Sequence, residues 1–398
     1  MTTVANPRTP ALEPAAEPAS VLHVRVVTGS GGGPEKTILL SPRFLERLGY
    51  RAAAAYLHPP ADPGFRAIRR RAAEQDAPLI ACPDFGPLDA TLLPRLWRHC
   101  RRLGVSIWHA HDYKSNLLGL MLRPLHPMTL VTTIHGWVVH TRRTPLYYRV
   151  DRWCLPRYDH VFAVSQHLRE AAADAGVQRD RLTHLPNAID LDAYRRRTRP
   201  ADAALRRELG TPPGRLVLGG VGRLAEEKCF DTLIRATAEL TRRGRDVELW
   251  IVGDGDQRAR LESLVDQLGL THRVRLLGYR ADPRPCYEAM DVFVLASRRE
   301  GLPNVLLEAA AMGTAIVSTR VAGVPGMLTD GRDALLCDVD DLDGLTAALR
   351  HAVYDAGLRD RLADQARELV ETRYGFAERM QRVAGCYDAL RRLRRPAA

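Results

Sequence analysis

The chain has 398 residues, which exceeds one ordinary hydrophobic core and predicts two domains of roughly 180 residues each. Hydrophobic residues make up 45% and charged residues 26%, a composition that excludes a largely disordered protein. The formal net charge of +11 is carried almost wholly by arginine, since lysine occurs only at Lys36, Lys114 and Lys228. Such a charge favours anionic partners, namely phospholipid head groups, pyrophosphate-bearing substrates or nucleic acid, although solvated arginine-rich helix faces explain it equally well.

Cysteine usage and hydropathy predict a cytoplasmic protein. The seven cysteines lack the paired spacing of zinc sites and are expected to be reduced thiols. No apolar run approaches the roughly 20 residues needed to span a bilayer, so we expect any membrane association to be peripheral, at the inner face of the plasma membrane. Residues 1–20 are rich in Pro, Ala and Glu without an apolar core, which predicts a disordered tail rather than a signal peptide.

Strand and helix signals alternate from Val21 onward, which predicts α/β domains with parallel sheets covered by helices. The first strand is predicted at 21–27 and is followed by a glycine-rich loop, and helical periodicity begins at Lys36. Further strands of this first domain, residues 21–193, are predicted at 53–57, 105–109, 130–134 and 160–164.

Turn formers and charges cluster at 194–213, where we place a linker. The second domain, residues 214–372, repeats the alternation. Its strands are predicted at 216–221, 248–252, 274–277, 292–295 and 315–318, with helices at 230–241, 256–268, 286–290 and 304–312. A last helix within 373–398 is expected to pack back towards the first domain.

Two carboxylates eight positions apart, Glu300 and Glu308, stand on either side of a turn that opens a helix. Gly301 permits a tight turn, Pro303 suits the first helical position, and Glu308 then lies inside the helix. Open α/β sheets bind ligands at the carboxyl ends of their strands, and the N–H groups at a helix start can hold a phosphate. One carboxylate can therefore meet a sugar hydroxyl and the other a ribose, with a diphosphate between them.

Basic residues and glycines occupy other predicted strand ends. Arg223 can hold a phosphate through two N–H groups, and Lys228 adds a compact positive charge beside it. The loop at 253–255 is either a floor under a base or phosphate or a plain turn. The run at 29–33 lets the backbone approach a ligand at a helix start, but it lacks the P-loop lysine and the dinucleotide spacing, so a turn without a ligand is the alternative.

Histidines end two strands of the first domain. His109 and His111 have the spacing that places both on one strand face, but apart from Asp112 no third ligand follows, so we expect no metal. His135 precedes a glycine and is expected to face a cleft, where it either hydrogen-bonds a hydroxyl or acts as an acid or base near neutral pH. A packed core histidine is the alternative. We assign His111 and Asp112 to the acceptor side.

The motifs resemble those of the retaining family 4 glycosyltransferases, whose GT-B fold places two Rossmann-like domains across a cleft. The likeness runs from Val21 to the last helix, and it is most specific at 222–228, at 253–255, at 300–308 and at 323–325. It implies four catalytic residues: Arg223 and Lys228 on the donor diphosphate, Glu300 on the transferred sugar and His135 on that sugar from the opposite domain. The donor-binding set that it implies comprises Gly31, Gly32, Gly33, Arg223, Lys228, Gly253, Gly255, Gly301, Leu302, Pro303, Asn304, Val305 and Glu308, the last on the nucleotide ribose.

The resemblance further implies transfer of a hexosyl group from a UDP- or GDP-sugar, with retention and without a metal or other cofactor. The implied acceptor is a sugar or lipid-linked glycan of bacterial exopolysaccharide or cell-envelope synthesis. Cys229 stands where the family usually has glycine, and Gly326 stands where a glutamate commonly follows Gly-Val-Pro. A nucleotide-sugar epimerase of the same architecture and a non-catalytic nucleotide-sugar-binding protein are the alternatives, whereas nucleic-acid binding is disfavoured because no zinc finger or ribonucleoprotein motif occurs.

Overall fold

The computed structural model describes residues 18–87, 89–136, 144–196, 198–300, 302–321 and 323–394. Within these residues the chain forms a seven-stranded and a six-stranded parallel sheet, so the predicted α/β class is confirmed. Among the described residues, no helix combines the length and hydropathy that crossing a bilayer requires.

The first sheet has the strand order β3-β2-β1-β4-β5-β6-β7, and every neighbouring pair is parallel. Its strands are β1 (Ala19–Val26), β2 (Tyr50–His58), β3 (Leu79–Pro83), β4 (Val105–Ala110), β5 (Thr129–Ile134), β6 (His160–Ala163) and β7 (Leu182–His184). Its helices are α1 (Gly33–Arg47), α2 (Phe65–Glu74), α3 (Leu92–Leu103), α4 (Tyr113–Leu122), α5 (Thr144–Cys154) and α6 (Gln166–Asp174).

Helices cover both faces of this sheet because its central strands are apolar on both sides. One core cluster joins the sheet to α3, α4, α5 and α6, through residues such as Leu96, Leu122 and Leu168. A separate cluster joins the opposite face to α1 and α2, with Ile38 and Ile68 as members. The right-handed crossovers of parallel strands produce this division when the strand order reverses.

The second sheet has the order β10-β9-β8-β11-β12-β13 and is likewise parallel. Its strands are β8 (Leu216–Val221), β9 (Val247–Val252), β10 (Val274–Gly278), β11 (Val292–Leu295), β12 (Ala315–Thr319) and β13 (Leu335–Cys337). Its helices are α7 (Ala204–Glu208), α8 (Phe230–Arg242), α9 (Arg258–Gln267), α10 (Arg284–Ala289), α11 (Asn304–Ala311), α12 (Val324–Met327), α13 (Leu342–Tyr354) and α14 (Ala356–Arg373).

The last helix, α15 (Phe376–Arg394), packs on the first sheet's domain. The Phe376 ring lies 5.0 Å from that of Phe44 on α1. Where the chain returns, Phe376 N–H donates to the Ile189 carbonyl at 2.9 Å, and Ile189 N–H donates to the Tyr374 carbonyl at 2.9 Å. The outgoing and returning segments between the domains are thus hydrogen-bonded to each other.

The structure differs from the sequence prediction mainly in short elements. Strands β3, β7 and β13 were not predicted, because runs of three to five residues carry too little periodicity to separate them from loops. Strand β1 begins at Ala19, so a tail ending at residue 20 is too long by two residues. Part of the predicted linker is helix α7, which is anchored by an ion pair between Arg206 and Asp291 of 2.5 Å. The rest of the predicted tail, residues 1–17, lies outside the described residues.

Candidate functional site

The candidate site lies where the strand order of each sheet reverses. In the first sheet the reversal falls between β1 and β4, and in the second it falls between β8 and β11. Parallel α/β sheets bind ligands beyond the carboxyl ends of their strands at such points. The two reversals are joined by contacts between α1 and α11: Lys36 Nζ lies 2.5 Å from Glu308 Oε1, and Asn304 Nδ2 donates to the Gly33 carbonyl at 3.3 Å.

Glu300 follows β11 and is held by two donors. Its Oε1 accepts a hydrogen bond from Lys228 Nζ at 2.6 Å and another from Ser297 Oγ at 2.8 Å. The Lys228 and Glu300 side chains are 20% and 11% exposed, so their ion pair is shielded but reachable from the cleft. The loops after β8 and β11 therefore bring together two of the residues that the sequence selected.

Glu308 lies on the first turns of α11 and is completely buried. Its Oε1 pairs with Lys36 from the first domain, and its Oε2 accepts a hydrogen bond from the Tyr287 hydroxyl at 2.9 Å. Burial and the neighbouring Glu308 carboxylate raise the pKa of Tyr287 well above its usual value, which keeps this hydroxyl a donor. A ribose that approached Glu308 would have to share this carboxylate with Lys36.

Arg223 follows β8 but does not touch Glu300. Its guanidinium pairs with Glu227 at 2.6 Å, one helical turn further along the loop, and its side chain is 62% exposed. The predicted pair of cations is therefore divided between two carboxylates, Arg223 with Glu227 and Lys228 with Glu300. Both cations remain at the carboxyl edge of the sheet, and an incoming diphosphate would compete with these two carboxylates.

The glycine loop between β1 and α1 has a defined geometry. Gly31 has a φ of +68°, and a Cβ placed there would lie 2.7 Å from the Cγ of Glu35. Glu35 is buried; it accepts a hydrogen bond from Gly32 N–H at 2.5 Å and pairs with Arg25 at 2.5 Å. A Cβ at Gly33 would lie 3.0 Å from the amide nitrogen of Asn304. The buried Glu35 thus holds the loop in place through its hydrogen bond with Gly32, and the loop faces α11 across the cleft.

The loop at Gly253 and Gly255 is shaped by a neighbouring loop. A Cβ at Gly253 would lie 1.8 Å from the Gly222 carbonyl oxygen, and one at Gly255 would lie 2.4 Å from the Leu224 carbonyl oxygen. Leu224 N–H donates to the Asp254 carbonyl at 3.0 Å. The backbone that precedes Lys228 therefore leaves room only for glycine at both positions. This close packing of the two loops accounts for both glycines without any contact to a ligand.

Helix α11 begins at Asn304, the start predicted for it, so Pro303 does not occupy the first helical position as the sequence suggested. Pro303 is its N-cap with extended backbone, and Asn304 is the first helical residue. Leu302 is buried and its carbonyl accepts a hydrogen bond from Asn187 Nδ2 at 3.1 Å, while Val305 packs against the core of the second domain. The predicted tight turn at Gly301 lies outside the described residues.

The first-domain residues of the predicted site have distinct environments. His135 follows β5, and its Nε2 lies 3.0 Å from Nδ1 of His111, which follows β4. Asp112 caps α4 by accepting hydrogen bonds from Lys114 N–H at 3.0 Å and Ser115 N–H at 2.9 Å, and it also accepts from Val26 N–H at 2.7 Å. These bonds give the Asp112 carboxylate a structural role at the position where we expected acceptor contacts.

His23, His109, His111 and His135 form a group that we call the histidine cluster. His23 on β1 is in register with His109 on β4, and its Nδ1 lies 3.0 Å from Nε2 of His111. Burial lowers the pKa of His23 to about 3, helped by Arg379. Burial, with Arg25 and Arg379 nearby, also lowers the pKa of His135 well below its usual value. Of the two roles predicted for His135, proton exchange near neutral pH is therefore disfavoured and hydrogen bonding by a neutral ring remains.

Comparison with known proteins identifies the family. The model for Glycosyltransferase Family 4 matches residues 31–193, and the model for Glycosyl transferases group 1 matches residues 215–355. A GDP-mannose-dependent α-(1-6)-phosphatidylinositol monomannoside mannosyltransferase of Mycolicibacterium smegmatis is 33% identical over 263 residues, 63% of this chain and 67% of that protein. The chain belongs to glycosyltransferase family 4.

One further relative and one solved structure show what this family 4 chain is similar to in sequence and in fold. The lipopolysaccharide core biosynthesis glycosyltransferase LpsE of Rhizobium meliloti is 42% identical over 163 residues, 41% of this chain and 47% of LpsE. The chain thus spans about half the length of that relative. HepE of Anabaena, solved with UDP and glucose, superposes with a TM-score of 0.79 at 22% identity, covering 93% of this chain and 100% of that one. The fold is therefore GT-B.

The two departures from the family pattern have different structural consequences. Cys229 adopts a φ of +50°, the left-handed region that favours glycine, and its side chain is buried. Gly326 lies on the exposed side of α12, and a Cβ there would meet nothing within 4 Å, so the space for a glutamate exists. The family's usual residues would thus suit the backbone at the first position and the available space at the second.

Three residues of the site were not predicted from the sequence: His23, Lys36 and Tyr287. Each had a signal. His23 interrupts an apolar strand, Lys36 is one of three lysines in an arginine-rich chain, and Tyr287 lies in the predicted helix before the strand that leads to Glu300. What the sequence could not supply is their partners, because Lys36 and Glu308 are separated by 272 positions.

Proposed function

We propose that this protein is a retaining glycosyltransferase that moves a hexosyl group from a nucleoside diphosphate sugar to a glycan acceptor. The observation that carries the proposal is the arrangement around the start of α11 in a family 4 chain. Glu300 precedes this helix, Glu308 lies on it, and Lys228 pairs with Glu300 at 2.6 Å. This arrangement suits a donor whose sugar meets Glu300, whose ribose meets Glu308 and whose diphosphate meets the helix start.

The proposed chemistry depends on stabilising a leaving diphosphate. As the bond between the anomeric carbon and the phosphate oxygen breaks, positive charge develops on the sugar and negative charge on the diphosphate. The cations Arg223 and Lys228 lower this barrier electrostatically by stabilising the negative charge on the diphosphate. The departing phosphate takes the proton of the acceptor hydroxyl on the face where the new bond forms, so the anomeric configuration is retained.

In this proposal no metal ion takes part. Arg223, Lys228 and the free N–H groups at the start of α11 supply the positive charge that a divalent cation would otherwise supply. Ion pairing with Glu227 and Glu300 keeps both cations in place before the donor arrives. Binding then exchanges carboxylate partners for phosphate oxygens, and this frees Glu300 to accept hydrogen bonds from sugar hydroxyls.

We propose that the acceptor is a sugar or a lipid-linked glycan of bacterial exopolysaccharide or cell-envelope synthesis. LpsE is a glycosyltransferase of lipopolysaccharide core biosynthesis, and the mannosyltransferase of Mycolicibacterium smegmatis is named for a phosphatidylinositol mannoside; both support this acceptor class. The protein would then meet its acceptor as a peripheral protein at the inner face of the plasma membrane.

The outer surface of α3, α4 and α5 is the proposed contact with anionic lipid. It carries an apolar depression of about 340 Å³ lined by Leu93, Pro94, Trp97 and Leu125. Apolar side chains about half or more exposed stand on this layer or its loops: Phe85, Met121, Leu125, Leu146 and Trp153.

The sequence that carries most of these apolar side chains is rich in arginine. Between residues 90 and 158 the sequence has eleven Arg and Lys but only two acidic residues, Asp112 and Asp151. Asp112 caps α4, and Asp151 is buried. Arg157 lies over the Trp153 ring at 3.9 Å, so an aromatic ring and a cation are presented together. This combination suits the interface of an anionic bilayer, where rings enter the head-group region and guanidinium groups meet phosphates.

Vesicle sedimentation tests the lipid contact. We expect the protein to sediment with vesicles of phosphatidylcholine mixed with phosphatidylglycerol, less with phosphatidylcholine alone, and less as salt increases. Trp153→Ser should weaken sedimentation, whereas Tyr354→Ser should not. Tyr354 is a matched control because it is 50% exposed, against 52% for Trp153, and also lies beside an arginine, but in the second domain. Equal loss in both variants, or no preference for anionic vesicles, would refute the proposed surface.

Donor binding and turnover test the transferase. Nucleoside diphosphates should raise the melting temperature of the protein, because a ligand that binds the folded state stabilises it. Glu300→Gln should then abolish transfer to a glycan acceptor while the melting-temperature shift with the nucleotide remains. Asp291→Asn is the matched control, since Asp291 pairs with Arg206 at 2.5 Å and is 15% exposed but precedes β11, at the opposite edge of the sheet from Glu300.

The same assays separate the alternative functions. An epimerase would convert the nucleotide sugar without any acceptor, and a binding protein would show the shift in melting temperature without product. Either result would overturn the proposed transfer, and no shift with any nucleoside diphosphate would overturn donor binding itself.

A further inference from the structure

The histidine cluster contains a chain of three rings linked edge to edge. His23 Nδ1 lies 3.0 Å from His111 Nε2, and His111 Nδ1 lies 3.0 Å from His135 Nε2. A neutral imidazole carries one N–H and one acceptor nitrogen, so each link needs a donor on one ring and an acceptor on the next. The proton positions of the three rings are therefore coupled. The hydrogen bonds can run from donor to acceptor either outward, from His23 to His135, or inward, from His135 to His23.

The inner end of the chain selects the direction. The Nε2 atom of His23 is buried, and it has no hydrogen-bond partner among the residues that the structure describes. If the chain pointed inward, this atom would carry a buried N–H without an acceptor, an arrangement that proteins rarely contain. If the chain points outward, His23 donates from Nδ1 to His111, His111 donates from Nδ1 to His135, and the unpaired atom is an acceptor nitrogen.

Charged rings do not disturb this chain. Burial lowers the pKa of His111 well below its usual value, and His109, His135, His23 and Arg25 act in the same direction. The Arg25 guanidinium donates to the His111 carbonyl at 3.0 Å, which places a fixed positive charge beside the chain. A proton added to any of the three rings would stand close to that charge, so the neutral form prevails.

Ring orientation opposes the other reading of the cluster, a metal site. Nitrogen atoms of His23, His109 and His111 lie within 4.8 Å of one another. The His109 and His111 rings, however, are stacked at 4.6 Å with an interplanar angle of 12°. Rings that overlap face to face direct their in-plane lone pairs side by side, and not towards one ion at the roughly 2.0 Å that a zinc–histidine bond requires. Moreover, His109 is bonded through Nε2 to Thr133 at 2.7 Å and through Nδ1 to Tyr387 at 2.5 Å.

We propose that His23 and His111 are positioning residues that hold His135 in the tautomer protonated at Nδ1. His135 then accepts a hydrogen bond at Nε2 from inside the protein and offers an N–H donor at Nδ1 to its ligand. In the proposed transferase, on which this consequence rests, a donor at this position recognises a hydroxyl oxygen of the transferred sugar or a phosphate oxygen. The tautomer itself depends on the chain of rings alone.

Nitrogen NMR of the full-length protein tests the tautomer directly. Histidine is labelled with ¹⁵N, and the His135 signals are assigned by their loss in His135→Gln. Long-range proton–nitrogen correlations distinguish a protonated from an unprotonated ring nitrogen. We expect a protonated Nδ1 and an unprotonated Nε2 in the wild-type protein without any substrate. The opposite pattern, or a charged ring at neutral pH, would overturn the proposal before any further variant is made.

Removing a ring from this hydrogen-bonded series of histidines should free His135 to adopt either tautomer. His111→Phe keeps a ring in place but removes both hydrogen bonds, so the Nδ1 tautomer of His135 should be lost. His160→Phe is the matched control, because His160 is also buried in the first sheet but bonds to Thr183 at 3.0 Å, outside the chain. If His111→Phe fails to fold, His23→Leu removes the inner link instead and should weaken the same preference. An unchanged tautomer in the folded variants would contradict the positioning role.

Kinetics then distinguish this inference from the proposed function. If transfer is detected, His111→Phe should lower kcat more than it raises KM for the donor, and His160→Phe should alter neither. If no transfer is detected with any donor and acceptor, the proposed function fails, and the NMR result stands unaffected because it needs no substrate.

Discussion

At the scale of single residues, the charged groups of the candidate site are paired with one another before any ligand binds. Each lysine of the chain lies against a carboxylate: Lys36 with Glu308 at 2.5 Å, Lys228 with Glu300 at 2.6 Å and Lys114 with Asp84 at 2.6 Å. The first two pairs lie in the cleft. Pairing lowers the desolvation free energy of keeping these charges in a partly buried site. A polyanionic ligand can replace the carboxylates because it offers more negative charge.

The exposed cation Arg223 provides the first prediction. Arg223→Ala should lower kcat roughly 100-fold or more with little change in folding stability, because it removes a donor aimed at developing negative charge. Arg243→Ala is the control, since Arg243 is also exposed and forms an i,i+4 ion pair, with Glu239 at 2.7 Å. Steady-state kinetics of the two variants with a nucleotide sugar make the comparison. Equal activity of the two would remove Arg223 from the catalytic set.

The strained backbone at Cys229 provides the second prediction. A non-glycine residue in the left-handed region costs about 1–2 kcal/mol, whereas the buried thiol returns some of this through packing. Cys229→Gly should therefore leave the free energy of unfolding within about 1 kcal/mol of the wild-type value. Cys229→Val should lower it by roughly 2 kcal/mol, because a β-branched side chain tolerates this conformation poorly. Urea unfolding measures both, and equal stability of the two variants would contradict a role for strain.

At the scale of elements, the site is built from loops that support one another across the cleft. The loop before α1 is pinned by Glu35 and faces α11, and the loop after β9 fits against the loop after β8 with no room for a Cβ. Because these loops follow strands at the reversal of each sheet, rigid elements fix their positions. The contacts between α1 and α11 make each domain part of the other's binding surface.

Neighbouring glycines in the loop before α1 provide the third prediction. Gly31→Ala forces a Cβ into the left-handed region, 2.7 Å from Glu35 Cγ, whereas a Cβ at Gly32 would lie 3.8 Å from Glu35 Oε2 and meets only ordinary contact. We expect Gly31→Ala to destabilise the first domain by roughly 1–3 kcal/mol and to weaken nucleotide binding, and Gly32→Ala to leave the stability of the domain unchanged. Calorimetry with and without nucleoside diphosphate measures both effects. Similar behaviour of the two variants would show that the loop tolerates a changed path.

At the scale of the whole molecule, the two domains differ in the burial of their histidines. The first domain contains the histidine cluster and also His160, whose pKa burial lowers to about 4. The second domain contains His272 and His351, both of which are exposed. Buried neutral histidines bind protons more weakly in the folded than in the unfolded state, so they couple folding to pH in one domain more than in the other.

The fourth prediction follows from this difference. An unfolded histidine takes up a proton near pH 6.5, whereas folded His23 has a pKa of about 3. The unfolded state therefore binds more protons below pH 6.5, so the stability from these neutral rings is complete above that pH and is lost as the pH falls towards 3. At pH 5 the shifted pKa of His23 alone should lower the free energy of unfolding by about 2 kcal/mol. Calorimetry should show the first domain's transition falling between pH 7 and pH 5 by more than that of the second; parallel shifts would contradict this account.

The sequence by itself determined the α/β class and the two motifs at 222–228 and 300–308, which contain Arg223, Lys228, Glu300 and Glu308. Apolar runs, helical periodicity and turn residues are local signals, and they repeat once per element. The short strands β3, β7 and β13 gave too little of this signal. Pro303 is the N-cap of α11 and not its first helical residue, a difference of the kind that local propensity leaves open by one position.

Only the tertiary structure decided which charges are partners and which histidines touch. Lys36 meets Glu308 from the other domain, and His23 meets His111 from a strand that is adjacent in space but 88 positions away in the chain. Strand order, not sequence order, brings β1 beside β4 and β8 beside β11. A single sequence carries no record of this order, because the pairing is chosen by the burial of whole faces and not by the residues that come to stand together at the strand ends.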